Sequence, residues 1–110
     1  MIREHALLPV KPGLGPDFER ALERALPIIR SMRGCLHAEV SRCLETPGLY
    51  LLLVEWERLE DHDPGFRESA QYQEWKSLLH HFYDPFPTVQ HFAPLEQRNG
   101  WTPEVPRPTL

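Results

Sequence analysis

At 110 residues the chain has room for one modest hydrophobic core and excludes a two-core protein. A net charge of −4, with basic residues scattered singly among acidic ones, argues against the basic stripe that a nucleic-acid partner requires. No apolar stretch approaches the roughly 20 residues that cross a bilayer. The N-terminus MIREHALLPV also lacks the basic-then-apolar pattern of a secretory leader, so a cytoplasmic location with no membrane partner is expected.

Residues 2–10 read as a strand, closed by Pro9 and a turn over 11–15 that contains Pro12, Gly13 and Gly15. A helix opens at Pro16 and Asp17, where a proline and an acidic first turn suit its N-terminus. Phe18, Ala21, Leu22, Ala25 and Ile29 recur on it at helical spacing, with Glu19, Arg20, Glu23 and Arg24 opposite. Pro27 cannot donate to the carbonyl of Glu23, which predicts a kink or a shortened helix. Gly34 is the expected stop.

A second strand is expected over 35–45, with Cys35, His37 and Glu39 on one parity. On such a strand Cys35 and Cys43 lie about 26 Å apart, far beyond the ~7 Å that a disulfide tolerates between Cα atoms. Both are therefore read as free thiols. Thr46, Pro47 and Gly48 turn the chain into a third strand over 49–57, making a hairpin. After a turn over 59–65, a second helix is expected from about 67 to 82, with Tyr72, Trp75, Leu79 and Phe82 on one side. A proline-punctuated loop over 83–87 leads to a last strand over 88–93.

The order β-α-β-β-α-β predicts an α+β, ferredoxin-like domain with an antiparallel sheet. Its two helices cover one sheet face. The third strand, Leu49-Tyr50-Leu51-Leu52-Leu53-Val54, is apolar on both parities and needs cover on both sides. A second copy of the sheet is the simplest cover, so a homodimer through sheet faces is expected. The domain is placed over 1–95. Residues 96–110, with three prolines in the last ten and no periodicity, are expected to be a disordered tail or an arm docked through Trp101 on the partner subunit.

Several features stand together in order: Gly34 before an alternating strand, the Pro47-Gly48 hairpin, and Val54-Glu55-Trp56-Glu57 at the end of the third strand. Asp61-His62 follows, then Phe66-Arg67-Glu68-Ser69 with Tyr72 and Trp75, and Pro87-x-Val89-x-His91-Phe92. Together they resemble the antibiotic biosynthesis monooxygenase family of dimeric α+β barrels. The resemblance implies a dimer of ferredoxin-like units with a pocket in each subunit between helices and sheet. Some members oxidise polycyclic aromatic phenols with molecular oxygen, using neither metal nor flavin, while relatives act on quinones, degrade haem or have no known reaction. The haem-degrading pattern of an Asn on the first strand and a Trp and a His on the second helix falls here on Ala6, Phe66 and Trp75, so that activity is not expected.

Cofactor-free oxygenation needs a base with a pKa near neutrality, an apolar pocket that excludes bulk water, and a donor for the oxyanion. His62, a turn histidine near the expected pocket, is the first choice for the base, against a helix-capping or solvent-facing role. Trp56, Tyr72 and Trp75 are read either as walls for a flat substrate or as core. Tyr72 is the better site residue, because a buried hydroxyl requires a partner. Arg67 suits an anionic substrate group, or a pairing with Glu68 or Asp63. His91 contacts the pocket or is a hydrogen-bonded sheet residue, and His5 has the same two readings. His80 and His81 diverge by about 100° on a helix and cannot chelate one ion. No His or Cys pair has zinc-type spacing, and there is no glycine-rich phosphate loop, so neither metal nor cofactor is expected. The expected function is a cofactor-independent monooxygenase acting on a small aromatic or quinone-type compound. The alternative is a non-catalytic ligand-binding or assembly module on the same fold.

Overall fold

Strands β1 (Ile2–Pro9), β2 (Cys35–Arg42), β3 (Leu49–Trp56) and β4 (Val89–Phe92) form one antiparallel sheet in the order β2-β3-β1-β4. Helices α1 (Gly15–Arg30) and α2 (Ala70–Leu79) complete the β-α-β-β-α-β order of a ferredoxin-like α+β fold. The computed structural model describes residues 1–95. The expected tail over 96–110, with Trp101, lies outside the described residues. Among the described residues no helix is long and apolar enough to cross a membrane.

The two-residue period of β3 separates the faces. Tyr50, Leu52, Val54 and Trp56 are buried beneath the helices, while Leu49, Leu51, Leu53 and Glu55 are half-buried on the other face. Register carries the same division into β1, where Glu4 pairs with Val54, Ala6 with Leu52 and Leu8 with Tyr50. Helix α1 meets this face through Phe18, Leu22, Ala25 and Ile29, spaced four, three and four residues apart. Pro27 lies in its last turn, and the helix continues to Arg30, so the expected shortening does not occur. So close to the end, a missing donor forfeits a single bond. The Arg30 guanidinium then donates to the Ala38 carbonyl at 2.7 and 3.1 Å, tying the helix end to β2.

Several element limits and one strand pairing differ from the sequence expectation. Strand β2 ends at Arg42, with Cys43 turning back through its N–H to the Leu49 carbonyl at 2.9 Å. A bulge at Leu36 sets Cys35 opposite Trp56 but His37 opposite Glu55, so Cys35 and His37 face opposite sides rather than sharing a parity. Helix α2 starts at Ala70 rather than near Arg67, because the Ser69 hydroxyl accepts the Tyr72 N–H at 3.1 Å and caps it there. Gly34, at φ +83°, connects α1 to β2, and a side chain at this position would run into Asp61. That close approach places the Asp61–Phe66 turn, and with it His62, against the end of β3.

Candidate functional site

Glu4 organises the site. The alternation of β1 points it to the helix-covered face beside Ala6 and Leu8, and it is only 3% exposed. An isolated carboxylate there is costly, and burial raises its pKa from 4.5 to about 7. The Trp56 indole N–H, donating to Oε1 at 2.9 Å, and the positive charge of Arg67 oppose the rise without cancelling it. At neutral pH Glu4 is thus divided between acid and carboxylate.

His62 belongs to the irregular helical turn Asp61–Phe66, where Asp63 departs from helical geometry at φ −137° and ψ 110°. Its ring stacks on Trp56 with centroids 5.4 Å apart and planes 14° from parallel. Nε2 lies 3.4 Å from Glu4 Oε1, and Nδ1 lies 2.8 Å from His91 Nε2. Burial, together with His91 and Arg67, pushes the His62 pKa down to about 3. The imidazole is neutral at pH 7, so its contact with Glu4 is a hydrogen-bonding approach and not an ion pair with imidazolium. His91 faces the same side because β4 pairs it with Glu4 across the sheet. Burial and Arg67 also lower its pKa.

Above Glu4 a cavity of about 60 Å³ opens between α2 and the sheet. Ala6, Leu8 and Leu52 contribute its sheet side, Phe66, Tyr72 and Trp75 its helical side. His62 and Arg67 bring polar groups into it. His80, Tyr83, Phe86 and Pro87 also line it, and Phe86 is 60% exposed where the cavity meets solvent. Burial pushes His80 down to about 4 and raises both the Tyr72 and Tyr83 hydroxyls, Tyr72 partly and Tyr83 strongly. The three histidines around the site are therefore neutral at pH 7. A cavity donor can lose a proton to Glu4 here, and Arg67 carries the positive charge that would favour the resulting anion.

Four of the residues singled out from sequence, His62, Arg67, Tyr72 and Trp75, line this cavity together. His91 stands behind His62 and does not line it. Trp56 is fully buried and is not a cavity wall; it grips Glu4 and supports His62 from beneath. His5 lies on the opposite sheet face, edge-to-face with Phe92 at 5.5 Å. The sequence reading missed Glu4, His80 and Tyr83. For Glu4 a signal existed, since a carboxylate on the parity of Ala6 and Leu8 has to be buried. Among the described residues no three His, Cys, Asp or Glu side chains are arranged to hold a metal ion.

The family model described as antibiotic biosynthesis monooxygenase matches residues 1–78. The chain belongs to this family. The antibiotic biosynthesis monooxygenase match takes in β1, α1, the β2–β3 hairpin and nearly all of α2, and with them Glu4, Trp56, His62, Arg67, Tyr72 and Trp75. Uncharacterized protein YczJ of Bacillus subtilis (strain 168) is 58% identical over 92 residues, covering 84% of this chain and 97% of YczJ. A solved structure from Bordetella bronchiseptica, assigned to the same family, is 36% identical with a TM-score of 0.81, over 86% of this chain and 96% of that one. A variant of SnoaB, a cofactor-independent oxygenase from Streptomyces nogalater, shares the fold at a TM-score of 0.74. Its identity is 10%, with 89% of this chain and 96% of that chain covered, so the likeness is of fold alone.

Proposed function

We propose that this family member is a cofactor-independent monooxygenase for a compact aromatic or quinone-type compound. The carrying observation is Glu4, a carboxyl with a pKa of about 7 at the base of a largely apolar cavity. Triplet oxygen reacts slowly with closed-shell molecules, so the substrate itself must become the electron donor. Ionised Glu4 takes a proton from an acidic C–H or phenolic O–H, leaving an electron-rich carbanion or phenolate. Overall, RH₂ + O₂ gives R=O + H₂O. The substrate supplies four electrons, one oxygen atom enters the product and the other leaves as water.

The base role first expected of His62 passes to Glu4. A group with a pKa of about 3 is too weak a base at neutral pH, whereas one near 7 is both available and effective. Arg67 is assigned to the anion that forms, and Tyr72 and Trp75 to the substrate ring. Volume limits the substrate. A benzene-sized guest occupies a cavity of about 150 Å³, against about 60 Å³ here. A ring therefore enters only when the mouth near Phe86 widens, and a single ring is favoured over a polycyclic one.

The test is oxygen consumption with a panel of substituted hydroquinones, catechols and anthrone-type phenols, with product mass spectrometry in ¹⁸O₂. Uptake with one labelled oxygen in the product is the expected result. Oxygen reduced to hydrogen peroxide without label incorporation would replace monooxygenation by oxidation. No uptake, with a panel compound still quenching tryptophan fluorescence, would favour the non-catalytic binding module, for which the small cavity volume is the specific support.

The same proposal includes a homodimer. Leu7, Leu49, Leu51, Leu53 and Phe92 share the sheet face away from the helices, with Leu7 50% and Phe92 49% exposed. An apolar face of this kind calls for a partner surface. Light scattering at micromolar concentration is expected to return twice the 12.9 kDa chain mass, and a monomer would end the dimer proposal.

A further inference from the structure

Glu4 is sealed from solvent on the protein side, yet a base that turns over must lose the proton it takes. The contacts behind it suggest where that proton goes. Glu4 Oε1 is held at 2.9 Å by the Trp56 indole N–H and lies 3.4 Å from His62 Nε2. Oε2 takes no hydrogen bond among the described residues and is left to a cavity donor. The opposite nitrogen of the same imidazole, Nδ1, is 2.8 Å from His91 Nε2. His91 sits on β4, the edge strand of the sheet, and is half-buried there. Asp63 is near enough for its negative charge to act on the His91 ring. Carboxyl, imidazole, imidazole and edge thus form a continuous line that bypasses the cavity mouth.

We propose that Glu4, His62 and His91 form a proton relay connecting the cavity to solvent at the edge of the sheet. The cavity donor's X–H bond breaks and a proton joins the Glu4 carboxylate. The carboxyl then turns about its Cγ–Cδ bond to present the protonated oxygen to His62, and that proton passes to Nε2 as the proton on His62 Nδ1 passes to His91 Nε2. The proton on His91 Nδ1 then leaves to water or buffer. Each imidazole gains one proton and loses one, so both stay neutral and exchange tautomers. No imidazolium needs to accumulate, which suits a buried histidine that resists charging. Run backwards, the same hops return a proton to an oxygen anion formed in the cavity.

The 2.8 Å link is already at hydrogen-bond length, and the 3.4 Å link must tighten by a few tenths of an ångström. Such contacts often close only when a site is occupied. The stacking of His62 on Trp56 limits the ring's freedom to swing away from Glu4. Glu4 is faced by Trp56 from β3, His62 from the Asp61–Phe66 turn and His91 from β4, and it feels Arg67 electrostatically. Tyr72 on α2 and Cys35 on β2 feel its charge in turn, while α1 contributes the apolar Ile29 to the cavity. His91 makes its side-chain hydrogen bond to His62 and none to Glu4 among the described residues, so removing it should act on the rate of proton movement more than on the Glu4 equilibrium.

The relay rests on Glu4 being the proton acceptor, but its test needs no substrate. In the full chain labelled with ¹³C at Glu carboxyls, NMR relaxation dispersion near pH 7 reads how fast Glu4 exchanges its proton. HEPES serves as a buffer too bulky for the cavity. In wild type the exchange should accelerate with HEPES concentration. His91→Phe and His91→Gln, tested in parallel, should slow exchange at least tenfold and abolish the buffer dependence, with the Glu4 midpoint unmoved. Exchange within twofold of wild type in either folded variant would overturn the relay, sending the proton through the cavity mouth. A shifted midpoint at unchanged rate would also overturn it and leave His91 as a structural partner. Neither outcome depends on the oxygen-consumption panel, whose failure would leave the relay standing.

Discussion

Glu4→Gln is expected to lower kcat/KM for oxygen consumption by about 10²–10⁴, the usual contribution of a positioned general base. Glutamine keeps the shape and can still accept from the Trp56 indole, so the protein should fold normally. The same substitution has a signature in stability. In wild type the Glu4 pKa rises from 4.5 to about 7 on folding, so between these values the folded state holds a proton that the unfolded state has released. Stability from this group is fully present below pH 4.5 and is lost as pH rises through about 7. At about 1.4 kcal/mol per pKa unit the loss reaches about 3 kcal/mol at most. Glutamine lacks the slope, so in urea titrations the variant should gain on wild type from pH 5 to about pH 7 and level off above it.

The histidines act in the opposite direction. His62, lowered to about 3, stays neutral in the fold while the unfolded chain takes up a proton below about 6.5. Its stability contribution is present above pH 6.5 and is lost as pH falls towards 3. Half-buried His80, lowered to about 4, adds a smaller and solvent-screened part. Acid loss should therefore persist in Glu4→Gln while the neutral-pH slope disappears. A difference between variant and wild type that stays flat from pH 5 to pH 8 would show that Glu4 is not raised, and the proposed base would go with it.

Trp56→Ala is expected to cost about 3–5 kcal/mol, the range for removing a large buried aromatic. Trp56 is fully buried, stacks on His62 and packs against Phe66 with centroids 6.0 Å apart. Trp56→Phe separates packing from hydrogen bonding. It keeps an aromatic ring but removes the N–H that stabilises the Glu4 carboxylate, for which about 1.5–3 kcal/mol is typical of a bond to a charged group. Because that bond lowers the Glu4 pKa, its removal should move the Glu4 midpoint above about 7 and carry the activity profile to higher pH. Urea denaturation and ¹³C titration of the carboxyl read the two effects separately. A Trp56→Ala cost below about 1 kcal/mol would contradict the burial argument, and an unmoved midpoint in Trp56→Phe would contradict the hydrogen bond.

Element order was legible in the sequence because it depends on short-range periodicity. The two-residue alternation of β3 and the spacing of Phe18, Leu22, Ala25 and Ile29 identify strand, helix and inward face without long-range information. Boundaries were less legible where a single contact decides them. Ser69 caps α2 only because the preceding turn lets its hydroxyl meet the Tyr72 N–H, and the bulge at Leu36 is a matter of pairing with β3. Site residues on neighbouring turns, His62, Arg67, Tyr72 and Trp75, could be grouped from their proximity in the chain.

By itself, then, the sequence determined the ferredoxin-like order, the inward faces and the aromatic stretch that borders the cavity. Tertiary structure alone decided the chemistry within. Trp56 and Glu4 are 52 positions apart, and His62 and His91 are 29 apart, so only sheet register and the packing of the Asp61–Phe66 turn onto the sheet make them neighbours. The pKa values follow from that assembly, since desolvation acts on a carboxyl or an imidazole only when distant segments close over it. The same burial makes His62 too weak a base at neutral pH and raises Glu4 into the working range.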